Sequence, residues 1–132
     1  MNVRSVYYHF DELQVLVGTF KRLPVAICLT ETWEKPNDSP ASLLLENYQE
    51  PLHLSSVNKS SGVIVYVHDN FVAKRIPRKT TTENITLQLS NASSKFILSC
   101  IYNASAIGVK TFKNDINALL TSFIEYTEII CV

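Results

Sequence analysis

The chain of 132 residues is 46% hydrophobic and 18% charged, and its 12 basic and 12 acidic side chains cancel. That is one ordinary domain with enough apolar content for a real core; it excludes disorder, and three Gly and five Pro exclude collagen-like or linker-like sequence. Zero net charge removes the strongly basic surface from which nucleic-acid binding is most simply argued, so such a function must rest on a site.

No apolar run approaches the roughly 18 residues of a membrane span. The opening, Met1 to His9, lacks the apolar stretch of a secretory signal, so the chain is expected to be intracellular and not secreted. Cys28, Cys100 and Cys131 are odd in number, far apart and without zinc spacing; they read as small buried hydrophobes of a reducing compartment. In chain order, residues 1–3 leave no room for a first strand, and Leu13, Leu16, Val17 and Phe20 predict a helix over 11–20. Residues 25–29 predict a buried strand and 31–40 a surface loop, whereas 43–54 show no clear period. Residues 63–67 carry the strongest strand signal, and a turn at 68–70 joins them to 71–73 as an expected hairpin. Ile85, Leu87 and Leu89 alternate inward from 84 to 89, and 96–102 form another strand. Val109, Phe112, Ile116, Leu119, Leu120 and Phe123 make a helical stripe, and 128–132 read as a buried strand. The whole, 1–132, is expected to be one α/β domain truncated at both ends.

The sharpest chemical feature is Leu29-Thr30-Glu31-Thr32-Trp33 at the carboxyl end of a predicted buried strand. Ligands bind at that rim in open α/β sheets, and a carboxylate there suits Mg²⁺, which takes one or two carboxylates plus water and phosphate. Position alone favours the plainer reading, in which Glu31 begins a solvated loop and Trp33 caps the core.

Asn2-Val3-Arg4-Ser5, Glu12-Leu13 and Ile27-Cys28-Leu29-Thr30-Glu31-Thr32-Trp33 together resemble the opening of the endonuclease/exonuclease/phosphatase superfamily. The likeness is nearest to the endonuclease domain of non-LTR (LINE-type) retrotransposons. Tyr48, the glycine-led strand Ser61-Gly62-Val63-Ile64-Val65-Tyr66-Val67 and Ile101-Tyr102 extend it in order along the chain. The resemblance implies a partial, DNase I-like four-layer α/β sandwich. It further implies Asn2 as polar organiser beside the metal, Glu31 as ligand of Mg²⁺ or Mn²⁺, and Tyr102 at the scissile phosphate. The implied activity is metal-dependent nicking of duplex DNA in the nucleus, priming reverse transcription by a reverse transcriptase domain of the parent protein. The family's downstream Gly-Asp-Phe-Asn and Ser-Asp-His motifs are absent from these residues, its Gly-Gly-Gly is reduced to Ser61-Gly62, and its Tyr-Arg-Pro-Pro is replaced by Tyr102-Asn103-Ala104-Ser105. His9, His53 and His68 do not stand where the family's base does, so this chain alone is expected to be inactive.

Lys74, Arg75, Arg78 and Lys79 form a small basic cluster that either touches a DNA backbone or guards a strand edge with charge. Trp33 and Tyr66 are expected in the core rather than stacked on bases. Two other function classes fit the residues: a non-catalytic nucleic-acid or protein interaction remnant, and a metal-dependent phosphoesterase of small molecules or lipid headgroups.

Overall fold

Strands whose side chains alternate between two apolar faces need a packing layer on each side, and this chain supplies both layers twice. The computed structural model describes residues 1–34, 42–55, 61–77, 80–103, 107–123 and 128–132. One sheet has the order β1-β3-β2, with β1 at Ala26–Thr30, β2 at Leu52–Leu54 and β3 at Val63–Val67. The other runs β4-β5-β6-β7, with β4 at Val72–Arg75, β5 at Glu83–Ser90, β6 at Lys95–Tyr102 and β7 at Ile129–Cys131. The helices are α1, Val6–Gly18, and α2, Val109–Thr121.

The apolar side chains sort into three cores. Between the sheets, Val63, Val65 and Val67 of β3 meet Ile85, Leu87 and Leu89 of β5 and Phe96, Leu98 and Cys100 of β6. The other face of the first sheet, Leu29, Ile64 and Tyr66, packs on Val6, Leu13 and Val17 of α1. Ile97 of β6 packs with Leu119 of α2 and with Phe123 beyond it. The layers therefore run helix, sheet, sheet, helix, the four-layer α/β sandwich expected. Each Val, Ile or Leu buried in these cores contributes about 1.5–3 kcal/mol relative to exposure.

Ile85, Leu87 and Leu89 do face inward from β5, which pairs antiparallel with β4 and β6. The β5–β6 turn is closed by Asn91, whose Oδ1 accepts the backbone N–H groups of Ser93 (2.9 Å) and Ser94 (2.8 Å).

Four elements depart from the sequence reading. First, α1 starts at Val6, ahead of the expected residue 11, because Val6, Phe10, Leu13 and Val17 already repeat at helical spacing toward the first sheet. Second, residues 1–3 do pair with a strand. Thr30 N–H donates to the Met1 carbonyl (2.9 Å) and Val3 N–H to the Thr30 carbonyl (3.0 Å), a parallel bridge of Asn2 with Thr30 along the free edge of β1. Third, β3 and β4 do not form a hairpin; β3 is buried along its whole length and both its edges are taken by β1 and β2, so β4 crosses to β5. Fourth, β7 is an edge strand with Ile130 and Cys131 exposed, not a buried one. It pairs parallel with β6, so α2 is the crossover of a β-α-β unit. Among the described residues, no helix is long and apolar enough to cross a membrane.

Candidate functional site

The first and second sheets meet at one rim, where β1 and β6 end. Within β1, alternation directs Ala26 and Cys28 between the sheets and Leu29 toward α1. Continued regularly, it would turn Glu31 to the Leu29 side. Instead Glu31 takes φ 56°, in the left-handed region, and Trp33 follows with φ 54°. That reversal re-aims the carboxylate, and the Tyr102 hydroxyl at the end of β6 donates to Glu31 Oε1 at 3.1 Å. Left-handed backbone at non-glycine residues costs of order 1–3 kcal/mol each and persists only where surrounding contacts hold it. Those contacts are present. Ser5 N–H donates to the Glu31 carbonyl (2.9 Å), Val6 N–H to the Thr32 carbonyl (3.0 Å) and Trp33 N–H to the Ser61 carbonyl (3.0 Å). The bracing segment is itself in the left-handed region, at Arg4 (φ 43°) and Ser5 (φ 82°).

A second carboxylate stands at the same rim. Glu83, the first residue of β5, lies opposite Tyr102 in the β5–β6 register, and its Oε2 accepts the Gly62 N–H at 2.9 Å. Gly62 has φ 106°, a conformation open to glycine and costly for other residues. The Tyr102 phenol is held above its ordinary value, first by partial burial, then by its hydrogen bond to Glu31 and the charges of Glu31 and Glu83. It therefore stays protonated and donating at neutral pH.

Of the residues singled out in the sequence, the structure joins Glu31 to Tyr102 by a hydrogen bond and sets Asn2 on the neighbouring bridge, opposite Thr30. The exposed Asn2 also borders a groove with Arg4, His9 and Glu12 against α1. Lys74 and Arg75 are exposed on β4, the outer strand of its sheet, and Arg78 and Lys79 lie outside the described residues. Tyr66 is fully buried, as expected, but Trp33 is 38% exposed beside the rim rather than capping the core. The stretch read as a surface loop begins with buried residues, Thr32 and Glu34. Glu34 went unnoticed in the sequence; it is fully buried, and its Oε2 lies 3.1 Å from Nδ1 of the half-exposed His53. Glu83 was also missed, and only the β5–β6 register, which places it opposite Tyr102, reveals it. His9 meets Glu12 on α1 (3.2 Å), and His68 Nδ1 accepts the Asn70 N–H (3.1 Å), so these two imidazoles are engaged away from Tyr102.

Among the described residues, no group of three or more His, Cys, Asp and Glu is gathered to hold a metal ion unaided. Glu31 and Glu83 both act on the Tyr102 phenol, and Asn2 stands on the bridge beside β1.

No family model matches the chain, and no curated protein sequence matches it. Among solved structures it is similar to a 3′-5′ exonuclease (NExo) from Neisseria meningitidis, with 21% identity and a TM-score of 0.56 over 93% of this chain. The two share an α/β fold of the nuclease type, and the chain spans about half of that protein, 49% of its length.

Proposed function

We propose that the Glu31–Tyr102 rim is part of a divalent-metal-dependent phosphodiesterase site acting on duplex DNA, of the kind found in LINE-type retrotransposon endonucleases. The observation that carries this reading is the 3.1 Å bond from Tyr102 to Glu31, two groups 71 residues apart that meet only because the sheets dock. The structurally similar protein is an exonuclease, and phosphodiester cleavage is the chemistry common to it and to the family that the motif Asn2…Glu31…Tyr102 resembles. Glu31, with Glu83 or the Asn2 amide, would hold Mg²⁺ or Mn²⁺, and the ion would supply charge neutralisation at a phosphoryl oxygen. Tyr102 fixes the direction of the Glu31 carboxylate and presents a phenol to the same phosphate. Exposed Trp33, beside them, offers a face on which a base can stack.

His9 and His68 are engaged on α1 and at the 68–70 turn and His53 with Glu34, and we infer that the chain alone binds DNA without cutting it. Reverse transcriptase and a nuclear location belong to the same reading of the parent protein. Fluorescence anisotropy with a labelled duplex, with and without Mg²⁺, tests it beside nicking of supercoiled plasmid. The expected result is Mg²⁺-dependent binding weakened about tenfold or more in Glu31→Gln, and no nicking. Mg²⁺-independent binding that Glu31→Gln leaves intact would overturn it in favour of an interaction module. Hydrolysis of a small phosphate ester with no effect on DNA would overturn it in favour of a small-molecule phosphoesterase. Robust nicking lost in Glu31→Ala would refute the inactivity of the isolated chain.

A further inference from the structure

The left-handed turn that aims Glu31 is fixed at its start by the bonds from Ser5 and Val6. At its far end stands a pair that takes no part in the rim itself, Glu34 with His53. In the β2–β3 register His53 lies opposite Ile64, and its neighbours Leu52 and Leu54 pack between the sheets. Alternation therefore turns the imidazole to the α1 side, the side of Ile64 and Tyr66. Glu34 meets it there: the carboxylate is fully buried, and His53 Nδ1–H donates to its Oε2 at 3.1 Å. Burial first, and then the charge of Glu34, holds the nearby Tyr66 phenol above its ordinary value.

Residues 31–34 thus cross the first sheet from one edge to the other. Glu31 leaves β1, Trp33 N–H donates to the Ser61 carbonyl (3.0 Å) just ahead of β3, and Glu34 is held by β2. A carboxylate stays out of water only where donors replace its lost hydration, and His53 is such a donor. With that donor removed, the favoured place for the Glu34 side chain is the solvent. Only Thr32 and Trp33 separate it from Glu31, and the left-handed backbone at Glu31 and Trp33 relaxes once one end is freed. A relaxed Glu31 continues the alternation of β1 and points to the Leu29 side, away from Tyr102.

We propose that Glu34 and His53 are positioning residues of the rim: the pair pins the far end of the Glu31–Trp33 turn to β2 and so sets the aim of the Glu31 carboxylate and its grip on a divalent cation. Neither residue touches the cation or the phosphate; both act through the backbone between positions 31 and 34.

The test uses His53→Leu, which removes the donor, and His53→Asn, whose amide restores an N–H near the position of Nδ1. Trp33, the one tryptophan of the chain, reports the turn through acrylamide quenching of its fluorescence, and Mg²⁺ titration of duplex binding by anisotropy reports the rim. His53→Leu is expected to raise Trp33 quenching and to raise the Mg²⁺ concentration for half-maximal binding about tenfold or more, as when a group that orients a metal ligand is lost. His53→Asn is expected to return both toward the wild type. Urea unfolding checks that each variant is folded, and His53→Ser takes the place of His53→Leu should the latter not unfold cooperatively. A lowered urea midpoint in His53→Leu with both readouts unchanged would overturn the proposal, since the pair would then serve stability alone. Raised quenching with an unchanged Mg²⁺ requirement would overturn the link from the pin to the cation. The cation arm rests on the metal-site reading above; if the wild type shows no Mg²⁺-dependent binding, that reading fails, and Trp33 quenching alone decides the pin.

Discussion

Glu31 is held at φ 56°, where a Cβ is disfavoured, and this allows strain and chemistry to be separated by two substitutions at one position. Glu31→Ala and Glu31→Gly both delete the carboxylate and the 3.1 Å bond from Tyr102, so that loss cancels between them. Alanine retains the left-handed cost of about 1–2 kcal/mol; glycine does not. Glycine gives back about 0.5–1 kcal/mol through its greater freedom in the unfolded chain. The glycine variant should therefore be more stable than the alanine variant by about 0.5–1 kcal/mol. In urea, with a slope near 1.5 kcal/mol/M, that is a midpoint difference of about 0.3–0.7 M. Equilibrium urea denaturation at matched pH and protein concentration measures it, and both variants should lose Mg²⁺-dependent DNA binding equally. A glycine variant no more stable than the alanine variant would refute the reasoning, because residue 31 would then be in an ordinary backbone conformation.

Tyr66→Phe should cost about 1–3 kcal/mol in the same assay, because the buried Tyr66 hydroxyl donates to the Leu43 carbonyl at 2.9 Å and its loss strands a buried acceptor; a change within 0.5 kcal/mol of zero, on the order of surface noise, would contradict it. Asp115 on α2 accepts the Thr81 hydroxyl (2.7 Å), the Thr82 hydroxyl (2.8 Å) and the Thr82 N–H (2.9 Å), and these bonds, Thr81 first, hold its carboxyl below its ordinary value. A folded value below the unfolded one stabilises above the unfolded value, and the gain is lost as pH falls through the folded value. The stability advantage over Asp115→Ala should therefore be full at neutral pH and shrink as the pH falls through the folded value, read as converging urea midpoints.

What was legible in the sequence was what periodicity dictates. The inward alternation of Ile85, Leu87 and Leu89 and the Leu119–Phe123 end of the α2 stripe follow from spacing alone, and so does the position of β3. The β3–β4 hairpin was misread because sequence proximity shows a turn, not which sheet receives the next strand. Occupation of both edges of β3 by β1 and β2, the fact that decides it, is tertiary. Edge status misled in the same way at β7, where an apolar run lies at the outside of its sheet. In the site, Glu31 was visible as a carboxylate at a strand end, but its aim depends on a left-handed turn that no residue preference announces, since Gly or Asn would be the usual choice there. Glu83 and Glu34 were invisible because each acquires meaning from a partner, Tyr102 or His53, far along the chain.

Glu31 directly follows β1 of one sheet and Tyr102 ends β6 of the other, with no covalent route between them shorter than the intervening chain. The carboxylate–phenol pair is thus a gauge of how well the two halves of the sandwich are seated. A molten state that kept its helices, its hairpin and its far-ultraviolet dichroism, but let the Val65–Leu87–Leu98 layer slip, would retain nearly all its secondary structure and have no site.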